Sequence, residues 1–162
     1  MLGISIEKGG TAVLADGYLV AGTLTAPQRE FMFGYGVFTQ LMDDQEDVRR
    51  DLSAGLNTVF SMTARHWPLD EVTNRTFHFS ANVLNCMDSF EGLDVITVKE
   101  LFSRGIGFIL IEAAGRNSQH YSRRYLLELE KYLPFRFHNL NKQRRRLARY
   151  KVTMGKLMEL GV

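Results

Sequence analysis

Residues 25–50 read TAPQREFMFGYGVFTQLMDDQEDVRR, and the fold turns on whether this stretch is one helix. Thr25 and Gln28 have the spacing of a capping box, in which a hydroxyl and an amide reciprocally satisfy backbone N–H groups at a helix start. Pro27 is tolerated in a first turn because its missing N–H would have no partner there. The spacing predicts a helix from Thr25 to about Arg50. Gly34 and Gly36 inside it cost roughly 1 kcal/mol each relative to Ala, a cost that points to close approach of a neighbouring backbone or a ligand.

Outward from this helix the chain keeps helical periods. Ile4–Gly22 is ambiguous. Ile4 and Ile6 alternate with polar neighbours as in a strand, whereas Val13, Leu14, Tyr18 and Ala21 recur at helical spacing. Gly22 suits a helix stop. Ser53–Thr63, around Gly55 and Asn57, reads as a loop or broken helix. Further helices are expected over about Leu69–Phe90, Thr97–Ala114, Ser118–Leu133 and Phe135–Leu160, jointed at Glu91-Gly92, Gly115-Arg116-Asn117 and Pro134. Phe108–Ile111 is a short strand-like run within a helical frame. The expected class is all-α, with residues 1–162 as one domain.

Composition is that of an ordinary globular chain: 45% of the 162 residues are hydrophobic and 23% charged, which excludes a disordered or fibrous class. No apolar run approaches the ~18 residues of a membrane span. The start MLGISIEKGG has no basic region followed by an apolar one, so no secretory signal is expected. A single cysteine, Cys86, cannot form an internal disulfide and fits a reducing, cytoplasmic setting. Net charge is +2, but residues 121–151 carry ten Lys/Arg against Glu128 and Glu130, far from the acidic run Asp43–Asp47.

On the helix quoted above, Gln40, Asp43, Asp44 and Asp47 fall at i, i+3, i+4 and i+7, on one stripe. Phe31, Met32, Phe33, Tyr35, Val37, Phe38, Leu41, Met42 and Val48 crowd the same helix, so most of it should be buried. Carboxylates on such a helix repel one another and lose solvation. A hard dication offsets that cost, and Mg²⁺ takes one or two carboxylates while keeping positions for water and phosphate oxygens. The competing account is an exposed helix end with Arg49 and Arg50 as surface counterions.

The segment EFMFGYGVFTQLMDDQEDVRRDLSAGLNT, Glu30–Thr58, resembles the second aspartate-rich region of trans-prenyl diphosphate synthases, which are class I isoprenoid synthases. There a Gly-containing helix leads through a Gln into DDxxD, then an acidic residue and a Gly…Thr loop. The matching positions are Gly34/Gly36, Gln40, Asp43-Asp44-Gln45-Glu46-Asp47, Asp51, Gly55 and Thr58. EKGGTAVLADGYLVAG, Glu7–Gly22, is similar to the Lys-Thr-containing helix that precedes this region, with Lys8 at the diphosphate-binding lysine.

The resemblance covers about Ile4–Thr58. It implies helices around an apolar cavity with aspartates at its mouth, and Mg²⁺ bound by Asp43, Asp44 and Asp47. It further implies a prenyl diphosphate held by Lys8 with Arg49 or Arg50, and Gln40 steadying a carboxylate or a water or facing a carbocation. Phe31, Tyr35 and Phe38 would line the cavity or serve as plain core. The family also carries an earlier aspartate-rich motif, and no second DDxxD occurs in these 162 residues. The chain therefore resembles a C-terminal half. Three expectations remain open: a piece of a longer enzyme, a subunit completed by a partner or another copy, or a non-catalytic homologue. An incomplete helical half exposes apolar faces, so oligomerisation is expected.

Other constellations are weaker. His78-Phe79-Ser80 and His120-Tyr121-Ser122 form two His-x-Ser triplets of the kind a two-histidine phosphoesterase uses on strands. Here both fall in helical patterns. His66 and His138 lack ligand spacing for zinc. Gln143–Lys151, QRRRLARYK, suits either a phosphate backbone, with Tyr150 for stacking, or a solvated helix face. Cys86 reads as a small core residue and Trp67-Pro68 as a loop end.

Overall fold

Helix α1, Leu2–Ala21, resolves the ambiguous first segment in favour of the helical period. It stops where expected. Gly22 adopts φ 72° and donates its N–H to Tyr18 O at 2.9 Å. The chain then turns into α2, Ala26–Glu46, through the capping box read from the sequence: Gln28 N–H donates to Thr25 Oγ1 and Thr25 N–H to Gln28 Oε1 at 2.9 Å.

The computed structural model describes residues 2–92, 94–134 and 136–137. All but two residues of the helix expected over Phe135–Leu160 lie outside the described residues, as do His138 and the basic run Gln143–Lys151. After α2 come α3 (Val48–Ala54), α4 (Val59–Ala64), α5 (Asp70–Asn85), a 3₁₀ turn (Cys86–Ser89), α6 (Val95–Arg116), a second 3₁₀ turn (Ser118–His120) and α7 (Arg123–Glu130). Among the described residues every regular element is helical, so the class is all-α. Phe108–Ile111 is part of α6. The expected broken segment is α3 and α4, separated by Gly55 at φ 68° and capped anew by Thr58, whose Oγ1 accepts from Ser61 N–H. No described helix is long and apolar enough to cross a membrane.

One difference matters for the site. The helix expected to run unbroken to about Arg50 ends at Glu46, and Asp47 (φ −90°, ψ 6°) joins it to α3.

Helices α1 and α2 meet at their glycines. A Cβ on Gly9 would lie 2.6 Å from Gly36 O and 2.8 Å from Gln40 Cβ, while one on Gly36 would collide with Gly9 O. The backbones touch directly, as the placement of Gly36 in a helix interior suggests. Gly34 faces Val83 of α5.

Two apolar clusters flank the C-terminal half of α2. Phe31, Phe38, Val83, Leu84, Met87, Ile106 and Leu110 join α2 to α5 and α6. Val48, Phe60, Leu69, Ile111, Ala114, Tyr121, Leu129 and Phe137 join α3, α4, α6 and α7. Each fully buried large apolar side chain contributes about 1.5–3 kcal/mol against chain entropy. At the start of α7, Ser122 caps the helix and donates its Oγ–H to Asp70 Oδ2 at 2.5 Å, pinning the start of α5 beside it. The outer side of α6 presents Val98, Leu101, Phe108 and Ile109, all exposed, on one stripe.

Candidate functional site

The acidic stripe sits on the last turns of α2, and the structure divides its members by environment. Asp43 is exposed, Asp44 is buried at 6% exposure, and Asp47 is half-buried at the helix break. Gln40, one turn earlier, donates Nε2–H to Asp44 Oδ1 at 2.9 Å. That bond ties the Gln40 carboxamide to the Asp44 carboxylate within one helix. Asp47 pairs with Arg50 Nη2 at 2.6 Å.

The electrostatics follow from this crowding. Burial raises the Asp44 pKa, the bond from Gln40 pulls it back, and the charges of Asp51, Asp43 and Asp47 raise it again. Asp43 is raised by desolvation, then by Asp47 and Glu46. Asp51, buried on α3, is raised by burial and by Asp47, against lowering by Arg50 and a bond to Thr58. Excess negative charge is therefore concentrated along one side of the α2–α3 junction, and nearby cations compensate it only in part.

The expected cations are placed unequally. Arg50 joins the cluster through Asp47. Arg49 acts on the other flank, where its charge, after burial, lowers the pKa of His120. Lys8 is exposed on α1, one residue from the Gly9 contact with Gln40, and forms no ion pair with a described carboxylate. Phe31 and Phe38 are core, and Tyr35 stacks on Phe31 at 5.7 Å between ring centroids.

Two apolar cavities border α2, and none of Gln40, Asp43, Asp44 or Asp47 lines either. One of about 510 Å³ lies among α2, α4 and α5, lined by Leu41, Val59, Thr63, Trp67, Val72 and Phe79. Another of about 590 Å³ lies among α1, α2 and α5, lined by Ile6, Phe33, Val37, Leu41, Phe79 and Val83. Leu41 and Phe79 line both, and Leu41 is three residues before Asp44, on neighbouring positions of one helix face. The two cavities thus share an apolar wall at Leu41 and Phe79, with Glu71 and Arg75 in the lining of the first and Glu30 in that of the second.

Among the described residues no group of three or more His, Cys, Asp or Glu side chains is arranged as a cage for a metal ion. The donor set is all hard carboxylate oxygen, and it suits Mg²⁺ shared with a phosphate ligand, which needs only one or two carboxylates. The remaining sequence candidates take structural positions. Ser80 and Ser122, the serines of the two His-x-Ser triplets, bond Phe77 O and Asp70, and His66 tilts against Trp67.

Sequence reasoning missed a buried polar network behind the stripe. Gln45, fully buried, donates Nε2–H to Leu110 O at 3.1 Å and to Tyr121 Oη at 2.9 Å. Tyr121 in turn bonds Thr73 Oγ1 at 2.8 Å, and burial raises its pKa to about 12. The signal was present: Gln45 stands seven residues after Phe38 and three before Val48, a polar side chain on an apolar face. In comparisons with known proteins, no family model, no curated protein and no solved structure matches this chain.

Proposed function

We propose that this helical domain binds a prenyl diphosphate together with Mg²⁺, in prenyl transfer or diphosphate ionisation. The observation that carries this is the mutually repelling set Asp43, Asp44 and Asp47, with Asp44 buried, on a helix whose Leu41 lines two apolar cavities. Such an arrangement wastes stability unless a cation neutralises it, and the cavities at Leu41, three residues before Asp44, offer room for an apolar tail. Mg²⁺ would neutralise charge growing on a leaving diphosphate.

The chain's own residues do the positioning. Asp43, open to solvent, reaches the cation first. Asp44 is oriented by Gln40. Asp47 and Arg50 hold opposite charges at the rim, and Lys8 supplies a mobile ammonium from α1 for phosphate oxygens. The exposed apolar stripe of α6 favours a domain that works with a second copy or a partner chain, whether in catalysis or as a non-catalytic subunit.

Isothermal titration of the protein with geranyl diphosphate, with and without Mg²⁺, tests this. Binding should require Mg²⁺ and weaken at least tenfold in Asp43→Asn and Asp44→Asn. Mg²⁺-independent binding, or variants that bind like wild type, would discard the assignment.

A further inference from the structure

The break at Asp47 falls inside the acidic motif, and the far end of α6 places a carboxamide against it. Asn117, 2% exposed, points its carboxamide at the end of α2. Its Nδ2 lies 2.9 Å from Gln45 O, 3.1 Å from Glu46 O and 3.2 Å from Ala113 O. Two hydrogens thus serve three carbonyls, two of them at the end of α2. A side chain inserted into the i→i−4 ladder is a recognised cause of helix kinks. The preceding residue, Arg116, bridges Glu46 and Glu112, with the Glu112 bond at 2.8 Å.

Gln45 grips the same segment from inside. Its amide binds the α6 backbone at Leu110 and, through Tyr121, reaches Thr73 on α5. Its Oε1 has no partner among the described residues. An unpaired buried acceptor is costly, and the bonds made by its donors offset that cost. None of these side chains belongs to the carboxylate face. They fix, from behind, where that face points.

We propose that Asn117, assisted by Gln45, is a positioning residue for the cation–diphosphate site, bending α2 at Asp47 so that the α2 and α3 carboxylates converge. This rests on the diphosphate reading above for its functional half. The clamp itself rests only on the hydrogen bonds.

The test pairs Asn117→Ala with Leu129→Ala, a core change that removes none of the hydrogen bonds at the α2–α3 junction. Two quantities are measured: hydrogen–deuterium exchange of amides 43–51 without ligand, and the Mg²⁺ concentration for half-saturation at fixed geranyl diphosphate. Asn117→Ala should speed exchange at residues 47–51 at least tenfold and raise the Mg²⁺ requirement about tenfold. Leu129→Ala should leave the Mg²⁺ requirement within twofold and the 47–51 amides no faster than the rest of the chain. If Asn117→Ala fails to fold, Gln45→Met, close in volume and lacking the amide, is read the same way.

Unchanged exchange at 47–51 overturns the clamp. Faster exchange with an unchanged Mg²⁺ requirement overturns the positioning role. A wild-type protein that binds no diphosphate in Mg²⁺ removes the functional half, and the exchange data then decide the clamp alone.

Discussion

Replacing Asp44 by Asn separates stability from binding at one atom. Asn keeps the Oδ1 that accepts from Gln40 at 2.9 Å and removes a buried charge that Asp51, Asp43 and Asp47 oppose. Without ligand the variant should gain on the order of 1 kcal/mol. The i,i+3 repulsion with Asp47 supplies about 0.2–0.5 kcal/mol of this, and relief of a desolvated charge supplies the rest. For a chain of this size the gain raises Tm by about 2–4 °C. Ligand should reverse the order. At a hundredfold excess over Kd the wild type gains about 2.7 kcal/mol, or roughly 5–11 °C, and the variant far less. Calorimetric melting at pH 7, with and without Mg²⁺ and geranyl diphosphate, reads both effects. A lower Tm for the unliganded variant would refute the repulsion argument. Equal ligand-induced shifts in the two proteins would refute the role of Asp44 in binding.

Gly36→Ala should destabilise the protein by about 1–3 kcal/mol in urea unfolding, because the new Cβ meets the Gly9 carbonyl and two backbones must separate. Thr58→Ala removes the side-chain cap of α4 and should cost about 1 kcal/mol in the same assay. Phe60→Ala, at a position with 0% exposure, should cost about 3–5 kcal/mol. Stability should also depend on pH through Asp43, Asp44 and Asp51, whose folded pKa values are raised above 3.8. The folded state then binds more protons than the unfolded one. Their contribution is full below the unfolded pKa and is lost as pH rises through the raised folded values. The urea midpoint difference between wild type and Asp44→Asn should therefore shrink on acidification from about pH 7 to 4, and a widening gap would reverse the sign.

Local physics was legible in the sequence, and distant contacts were not. The Thr25–Gln28 box and the stop at Gly22 depend on residues three or four apart, and each lies where the spacing placed it, whereas the new cap at Thr58 falls inside a segment read only as a loop or broken helix. Gly36 signalled close approach because an interior glycine is costly, although nothing local named Gly9 as its neighbour. The break at Asp47 was invisible because the carboxamide that binds Gln45 O lies 72 residues away. For the same reason the different burial of the adjacent Asp43 and Asp44 had no local signal: only tertiary packing buries one and leaves the other in water.

Contact through peptide groups has a mechanical meaning at the crossing of α1 and α2. Side chains between helices act as springs, since rotamers and methyl groups yield by fractions of an ångström before backbone does. At Gly9 and Gly36 there is no spring. A push on α1 arrives at Gln40, one turn beyond Gly36, with little of it absorbed, and Gln40 holds Asp44. Whatever binds the open face of α1 therefore has a stiff linkage to the carboxylates.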